Sequence, residues 1–242
     1  MGFMPTLGRP HLVEEVIAMW ELQTYQDREL LIYDTANQMP EISGETWRII
    51  HQGKLPFSMG TTCNVGIRMS DAPLIARIDD DDHYFPWHLE ACVEALQNSA
   101  MSCPYCTWDG QYGRVECFQT YSRSVGPSGV AYAGAWAFTR EAFEAIGGYK
   151  ESEFREDECE FRDRMVEKYG PPGDTTAGKF RTPSYLYAAN HVATVHYGQC
   201  TDEQRREYQR QDWPKVEKIE PRLPSNFMDG ISDKFRVHPR RF

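Results

Sequence analysis

Four consecutive acids, Asp79-Asp80-Asp81-Asp82, follow directly on an apolar run, Leu74-Ile75-Ala76-Arg77-Ile78. A helix start comes next, Pro86-Trp87-His88-Leu89-Glu90. The apolar run reads as a buried strand, and four carboxylates at its end are costly unless something positive sits among them. In an open α/β sheet the C-terminal end of a strand is where ligands bind. Hard divalent cations take carboxylate oxygens, and nucleotide phosphates commonly complete their shell. The chemistry these residues suit is that of a metal-bound diphosphate. A helix N-terminus attracts one or two acids through its dipole; four directly after an apolar strand exceed that need.

The elements that must position these acids alternate along the first third of the chain. Residues 3–6 read as a short strand, and Gly8-Arg9-Pro10 turns the chain with Pro10 suited to a helix start. Leu12, Val13, Val16, Ile17 and Trp20 then recur at helical spacing. Leu30-Leu31-Ile32-Tyr33 is a buried strand ending at Asp34, residues 46–51 are weakly helical, and residues 63–70 form a helix. The strand before the acid run and a helix over 86–97 complete the series. Such alternation predicts an α/β fold with a mostly parallel central sheet flanked by helices. From about residue 101 short strands are broken by Gly110, Gly113, Gly126, Pro127 and Gly129. A short helix from Arg140 stops at Gly147-Gly148. An acidic helix-prone stretch over 151–168, a strand at Tyr185-Leu186-Tyr187 and a charged helix over 201–210 follow. No linker composition marks the change near residue 101. The expectation is therefore one domain over 1–242: a ligand-binding half to about 100, a second half to about 200, and a C-terminal extension.

The chain has 242 residues, enough to bury a full core, and a formal net charge of −10. That charge argues against non-specific nucleic-acid binding by the whole surface; Lys234, Arg236, Arg240 and Arg241 form a basic tail, which reads first as a solvated terminus and second as a contact for an anionic acceptor or membrane surface. No apolar run spans a bilayer, and the N-terminus lacks a signal-peptide layout. A cytoplasmic location is expected. Seven scattered cysteines do not look like a secreted disulfide framework. Cys103-Pro104-Tyr105-Cys106 is a C-x-x-C without a fourth zinc ligand at a familiar spacing, and the residues after it read as strand and turn rather than the helix a redox pair wants. Two reduced thiols in or beside a strand are expected there.

Five short motifs occur in order. They are Pro5-Thr6-Leu7-Gly8-Arg9; Gln23-Thr24-Tyr25 with Glu29-Leu30-Leu31-Ile32-Tyr33-Asp34; Cys63-Asn64-Val65-Gly66; Ile78-Asp79-Asp80-Asp81-Asp82 with Pro86; and Ile146-Gly147-Gly148-Tyr149 with Glu156-Asp157-Glu158. Together they resemble the family-2 glycosyltransferases, nucleotide-sugar-dependent enzymes of the GT-A (Rossmann-like) fold. The resemblance runs from about residue 4 to about residue 165. The chain departs from it where Thr35, rather than a second acid, follows Asp34, and where Cys63 stands in place of a common Arg.

The resemblance implies roles residue by residue. Asp79 and Asp81 would hold a divalent cation, Mn2+ or Mg2+, with Asp82 supporting or replacing Asp81. His196 would be a further metal or diphosphate contact, with His191 next. Pro5, Thr6, Arg9 and Asp34 would contact the base and ribose. Asn64, Asp79, Asp80 and Trp136 would complete the donor side. Trp136, after Gly134 and Ala135, is either a sugar-stacking platform or a core residue. In the run Glu156-Asp157-Glu158, Asp157 would be the general base and Glu158 the second candidate. Without the upstream motifs the same run describes the exposed face of an amphipathic helix.

The implied activity is transfer of a sugar, with inversion, from a nucleoside diphosphate sugar, expected to be a UDP-sugar, to a hydroxyl acceptor. The acceptor would be a glycan or a lipid-linked intermediate. The basic tail keeps open a hydroxylated base in DNA, as for compact phage enzymes. A sugar nucleotidyltransferase would share an acidic metal site but normally shows a Gly-rich phosphate loop near the N-terminus; residues 5–10 contain one glycine.

Overall fold

The computed structural model describes residues 1–7, 9–53, 58–105, 107–109, 116–118, 133–151, 157–181 and 184–187, with 107–109, 116–118, Asp157 and Tyr187 as backbone only. Strands β1 (Gly2–Thr6), β2 (Leu30–Asp34), β3 (Trp47–His51) and β4 (Leu74–Arg77) lie side by side in the order β3-β2-β1-β4, all parallel. Two short strands close the chain's middle, β5 (His83–Tyr84) and β6 (Met101–Cys103), and are followed by β7 (Thr107–Asp109), β8 (Glu116–Phe118), β9 (Ala137–Thr139), β10 (Gly173–Asp174) and β11 (Tyr185–Tyr187). The main sheet has seven strands in the order β10-β6-β9-β4-β1-β2-β3, and β9 runs against its neighbours β4 and β6. A second sheet has the order β5-β11-β7-β8.

Parallel strands buried on both faces should be continuously apolar, and β1 and β2 are buried at every position. Helices α1 (Pro10–Glu21) and α3 (His88–Leu96) cover one face of the sheet, where Val13, Val16, Ile17, Trp20, Leu89 and Cys92 pack with Met4, Ile32 and Ala76. Helices α2 (Met59–Ile67), α4 (Arg140–Ala145) and α5 (Asp157–Tyr169) cover the other, where Cys63, Ile67, Phe143, Phe161 and Met165 pack with Phe3, Ile75, Trp136 and Phe138. The α/β, mostly parallel architecture is as expected from the alternation of elements.

Two local readings change. Residues 46–51 are expected to be weakly helical but form β3. Trp47 and Ile49 are buried while Arg48 and Ile50 are less so, a period of two, and five residues pair in register with β2. Pairing with a buried neighbour outweighs weak local propensity. Helix α2 begins at Met59, earlier than residue 63, because Ser58 caps it by accepting from the Thr61 amide at 2.9 Å.

The motif glutamine ties two helices together. Gln23, just past α1, donates from Nε2 to the Phe85 carbonyl at 2.9 Å, and its Oε1 accepts from the Leu89 amide of α3 at 3.1 Å. Helix α5 docks through a cluster of rings: Phe161 stacks on Tyr149 with centroids 4.0 Å apart and lies 5.1 Å from Phe138. Arg164 of the same helix donates to the carbonyls of Ile146 at 2.5 Å and Gly148 at 2.7 Å. Phe161→Ala is expected to lower the unfolding free energy by about 3–5 kcal/mol in urea titrations; a change below about 1 kcal/mol would show that the ring cluster does not hold α5.

Candidate functional site

Strand order reverses between β1 and β4: the chain progresses outward through β2 and β3 on one side of β1, then crosses to β4 on the other. Ligands of open α/β sheets bind at such a switch point, beyond the carboxyl ends of the strands. The acid run follows β4 at that edge, and Thr6 and Arg9 follow β1 beside it.

The four acids divide into two sets. Asp79, Asp81 and Asp82 turn toward one another, and one carboxylate oxygen from each lies within 4.8 Å of the others. They are the one group of three or more metal-ligating side chains among the described residues. Asp80 turns away and is buried. Its Oδ2 accepts from Thr6 Oγ1 at 2.5 Å and Arg9 Nε at 2.9 Å, and its Oδ1 accepts from Arg9 Nη2. Arg9 also reaches Asp81 Oδ2 from Nη1 at 3.4 Å. Burial works against the Arg9 charge, but Asp80 and Asp81 outweigh it and hold its pKa above the ordinary range. A bidentate guanidinium–carboxylate pair fixes planar geometry as well as charge, so Arg9 locks the acid loop to the entrance of α1.

Two buried tyrosines support the loop from the second sheet. Tyr84 and Tyr185 sit opposite each other in the β5–β11 pair, with ring centroids 5.6 Å apart. The Tyr84 hydroxyl accepts from the Asp79 amide at 2.7 Å and donates to the Gly134 carbonyl at 2.9 Å. Tyr185 donates its hydroxyl to Asp82 Oδ2. Burial and the Asp82 charge raise both pKa values well above normal, so both phenols stay protonated. Beneath them His88 bonds Ser184 Oγ at 3.0 Å and packs edge-on to Tyr84 at 5.0 Å.

Gly134 lies in a 3-10 turn, Ala133–Ala135, pressed against the acids. A Cβ there would stand 2.6 Å from Asp79 Oδ2 and 3.0 Å from Asp82 Oδ2. A glycine is what lets this backbone lie so close to the two carboxylates. The converging oxygens and this cradle fit a hard divalent cation, for which oxygen ligands are preferred.

Arg77, the last residue of β4, is 3% exposed. Its Nη2 donates to Asp79 Oδ1 at 3.0 Å and lies 3.3 Å from Glu158 Oε1 on α5. Its Nη1 lies 3.0 Å from Cys63 Sγ. Burial opposes the charge, but Cys63, Asp79 and Glu158 raise its pKa well above the usual value. The sequence reading missed Arg77, Tyr84 and Tyr185. The signal for Arg77 was present: one charge inside an otherwise apolar strand.

The expected site residues separate accordingly. Thr6, Arg9, Asp79, Asp80, Asp81 and Asp82 come together, as does Glu158 through Arg77. Pro5 is a buried residue of β1. Asp34 stands at the end of β2 but is fully buried, and its oxygens accept from the amides of Ala36, Gln38 and Met39 at 2.7–2.9 Å. It holds the following loop instead of presenting a free carboxylate. Asn64 is likewise consumed: it donates to the Tyr149 carbonyl and accepts from the Tyr149 amide, both at 2.8 Å, pinning the Gly147-Gly148 turn. Trp136, 1% exposed, is a core residue and not an open stacking platform. Cys103 is a buried thiol whose pKa burial pushes up to about 12, too high for a thiolate. Glu156, His191, His196 and Cys106, and the side chain of Asp157, lie outside the described residues.

No protein-family model matches the sequence, and no curated protein matches it significantly. Solved structures do match. The mannosyltransferase PcManGT from Pyrobaculum calidifontis, in complex with GDP-Man and Mn2+, superposes with a TM-score of 0.53 at 13% identity over 79% of this chain and 57% of its own. S. aureus TarS 1-349 in complex with UDP-GlcNAc gives a TM-score of 0.59 at 10% identity over 81% of this chain and 60% of its own. The chain thus spans about three-fifths of the length of these solved chains. At these identities the likeness establishes the fold alone: an α/β fold with a seven-stranded, mainly parallel central sheet flanked by helices, shared with these glycosyltransferase structures. No described helix is long and apolar enough to cross a membrane.

Burial lowers the His88 pKa from 6.5 to about 3. The unfolded chain binds this proton below about pH 6.5 and the folded chain does not, so stability from His88 is complete above pH 6.5 and is lost as pH falls toward 3. His88→Gln is expected to remove up to about 1.4 kcal/mol per pH unit from the acid slope of stability. Urea midpoints between pH 7 and 4.5 measure it, and parallel slopes in the two proteins would contradict a neutral buried imidazole.

Proposed function

We propose that this chain is a metal-dependent glycosyltransferase that moves a sugar from a nucleoside diphosphate sugar to a hydroxyl acceptor. The observation that carries the reading is the convergence of Asp79, Asp81 and Asp82, cradled by Gly134, at the switch point of the mainly parallel sheet. The matched structures hold nucleotide sugars, and PcManGT holds Mn2+ as well. They support the same donor class here, with a UDP-sugar as the first choice. A glycan or lipid-linked intermediate is the acceptor we favour.

Asp79, Asp81 and Asp82 would hold the divalent cation. When bound, such a cation supplies Lewis-acid stabilisation of the departing diphosphate. Thr6 and Arg9, locked to Asp80, keep the acid loop in register with β1, the edge where the nucleotide would lie. Asp157 heads α5 and is the proposed base; its neighbour Glu158 is tied through Arg77 to Asp79. Asp157 would take the proton from the acceptor hydroxyl as its oxygen bonds to the anomeric carbon. The bond from that carbon to the diphosphate oxygen breaks in the same displacement, and configuration inverts.

A melting-temperature panel of UDP- and GDP-sugars, with and without Mn2+, tests the donor site. A ligand at about 100 times its Kd stabilises by about 2.7 kcal/mol. The expected result is stabilisation by one nucleotide that requires metal and disappears in Asp79→Asn and Asp81→Asn; no metal-dependent response to any nucleotide would reject the reading. Gly134→Ala is expected to weaken Mn2+ binding about 10–100-fold, as substitutions beside metal ligands do, read by calorimetry. Asp157→Asn is expected to cut transfer by about 10²–10⁴-fold while sparing donor binding.

A further inference from the structure

Arg77 occupies a position where the strand pattern asks for an apolar side chain. It follows Ile75 by two residues on β4, so both face the layer filled by α2 and α5. There its guanidinium is buried against Cys63 and Met59 of α2 and carries a full charge. A buried ion pair is a poor stability device, since a well-packed apolar residue often does as well or better; its attested use is to specify one arrangement over others. The arrangement specified here is particular. One nitrogen, Nη2, bonds Asp79 Oδ1 at 3.0 Å and meets Glu158 Oε1 at 3.3 Å. The metal-binding end of β4 and the first turn of α5 are therefore held on either side of a single atom. Asp79's other oxygen, Oδ2, is the one beside Gly134.

We propose that Arg77 is a positioning residue that sets the N-terminal turn of α5, and with it Asp157, against the Asp79 carboxylate. This rests on the glycosyltransferase reading for its catalytic consequence but not for the link itself. Other anchors of α5 are Glu160 on Lys150 at 2.8 Å, Phe161 in the ring cluster, Arg164 on the Gly147-Gly148 turn and Lys168 on the Ala145 carbonyl. They fix the body of the helix. Among the described residues, the Arg77–Glu158 pair is what joins its first turn to the acid loop. Loss of either partner removes this link to the acid loop while the other anchors of the helix stay in place.

The test uses the full chain with Glu158→Gln, Arg77→Lys, Arg77→Met and the double variant Arg77→Met/Glu158→Gln. Metal-free amide exchange is the first readout. Residues 158–162 are expected to exchange at least about fivefold faster in Glu158→Gln and Arg77→Lys, with β1 and β2 unchanged. In transfer assays kcat is expected to fall about 10–100-fold in Glu158→Gln, with donor KM within about threefold of wild type. The double variant is expected to be no slower than the worse single one, because both remove the same link. Unchanged exchange at the start of α5, or losses that simply multiply in the double variant, would overturn the proposal. So would complete loss of transfer in Glu158→Gln, which would make Glu158 the base itself. Should Arg77→Met fail to fold, Glu158→Gln, whose side chain is 31% exposed, decides the matter alone. A wild-type protein that shows no metal-dependent nucleotide binding would reject the glycosyltransferase reading separately, and the exchange readout would still judge the link.

Discussion

Carboxylates crowded at one sheet edge repel one another, and most of the architecture around β4 serves to hold them there. At a separation of about 4 Å in a partly dehydrated site, two like charges cost about 4 kcal/mol. The chain meets this with two guanidiniums placed on different sides. Arg9 enters from the start of α1 and takes Asp80 and part of Asp81. Arg77 enters from within the strand and takes Asp79 and Glu158. Tyr84 and Tyr185 add hydroxyls that stay protonated because they are buried beside acids, so they can orient the loop without adding charge.

The two faces of the sheet do different work. The α1–α3 face supplies an apolar base and the Gln23 staple that fixes the helix following the acid loop. The α2–α5 face carries the polar couplings: Asn64 to the Gly147-Gly148 turn, that turn to Arg164, and Arg77 to Glu158. Displacement of α5 would be felt at Asp79 through one nitrogen atom. The second sheet, short as it is, matters because its β5–β11 pair sets both tyrosines under the acids.

Legibility differed by residue. Asp79, Asp81 and Asp82 were readable because four acids after an apolar strand have few other physical uses. Asn64 and Asp34 were readable as fixed positions, yet their side chains turn to backbone amides and carbonyls, bonds that leave no trace in residue type. Trp136 was open between core and platform; its burial in the cluster between the sheet and the α2–α5 layer puts it in the core. Residues 46–51 carry both apolar and polar groups in six positions, too few to separate helical from strand periodicity. Their pairing with β2 decided it.

Local sequence determined the alternation of strands and helices, the parallel sheet it implies and the place of the acid run at a strand's C-terminal end. These follow from periodicity, capping and the cost of burying charge, all of which act over a few residues. Tertiary structure alone decided which acid of the four turns inward to Arg9, and which three face one another. It also decided that Arg77 on β4 and Glu158 on α5 meet, across more than seventy residues of chain. Such pairs are set by the crossing of the chain at the switch point and by the packing of α5 on the sheet, and no local pattern encodes where two distant side chains come to share a proton donor.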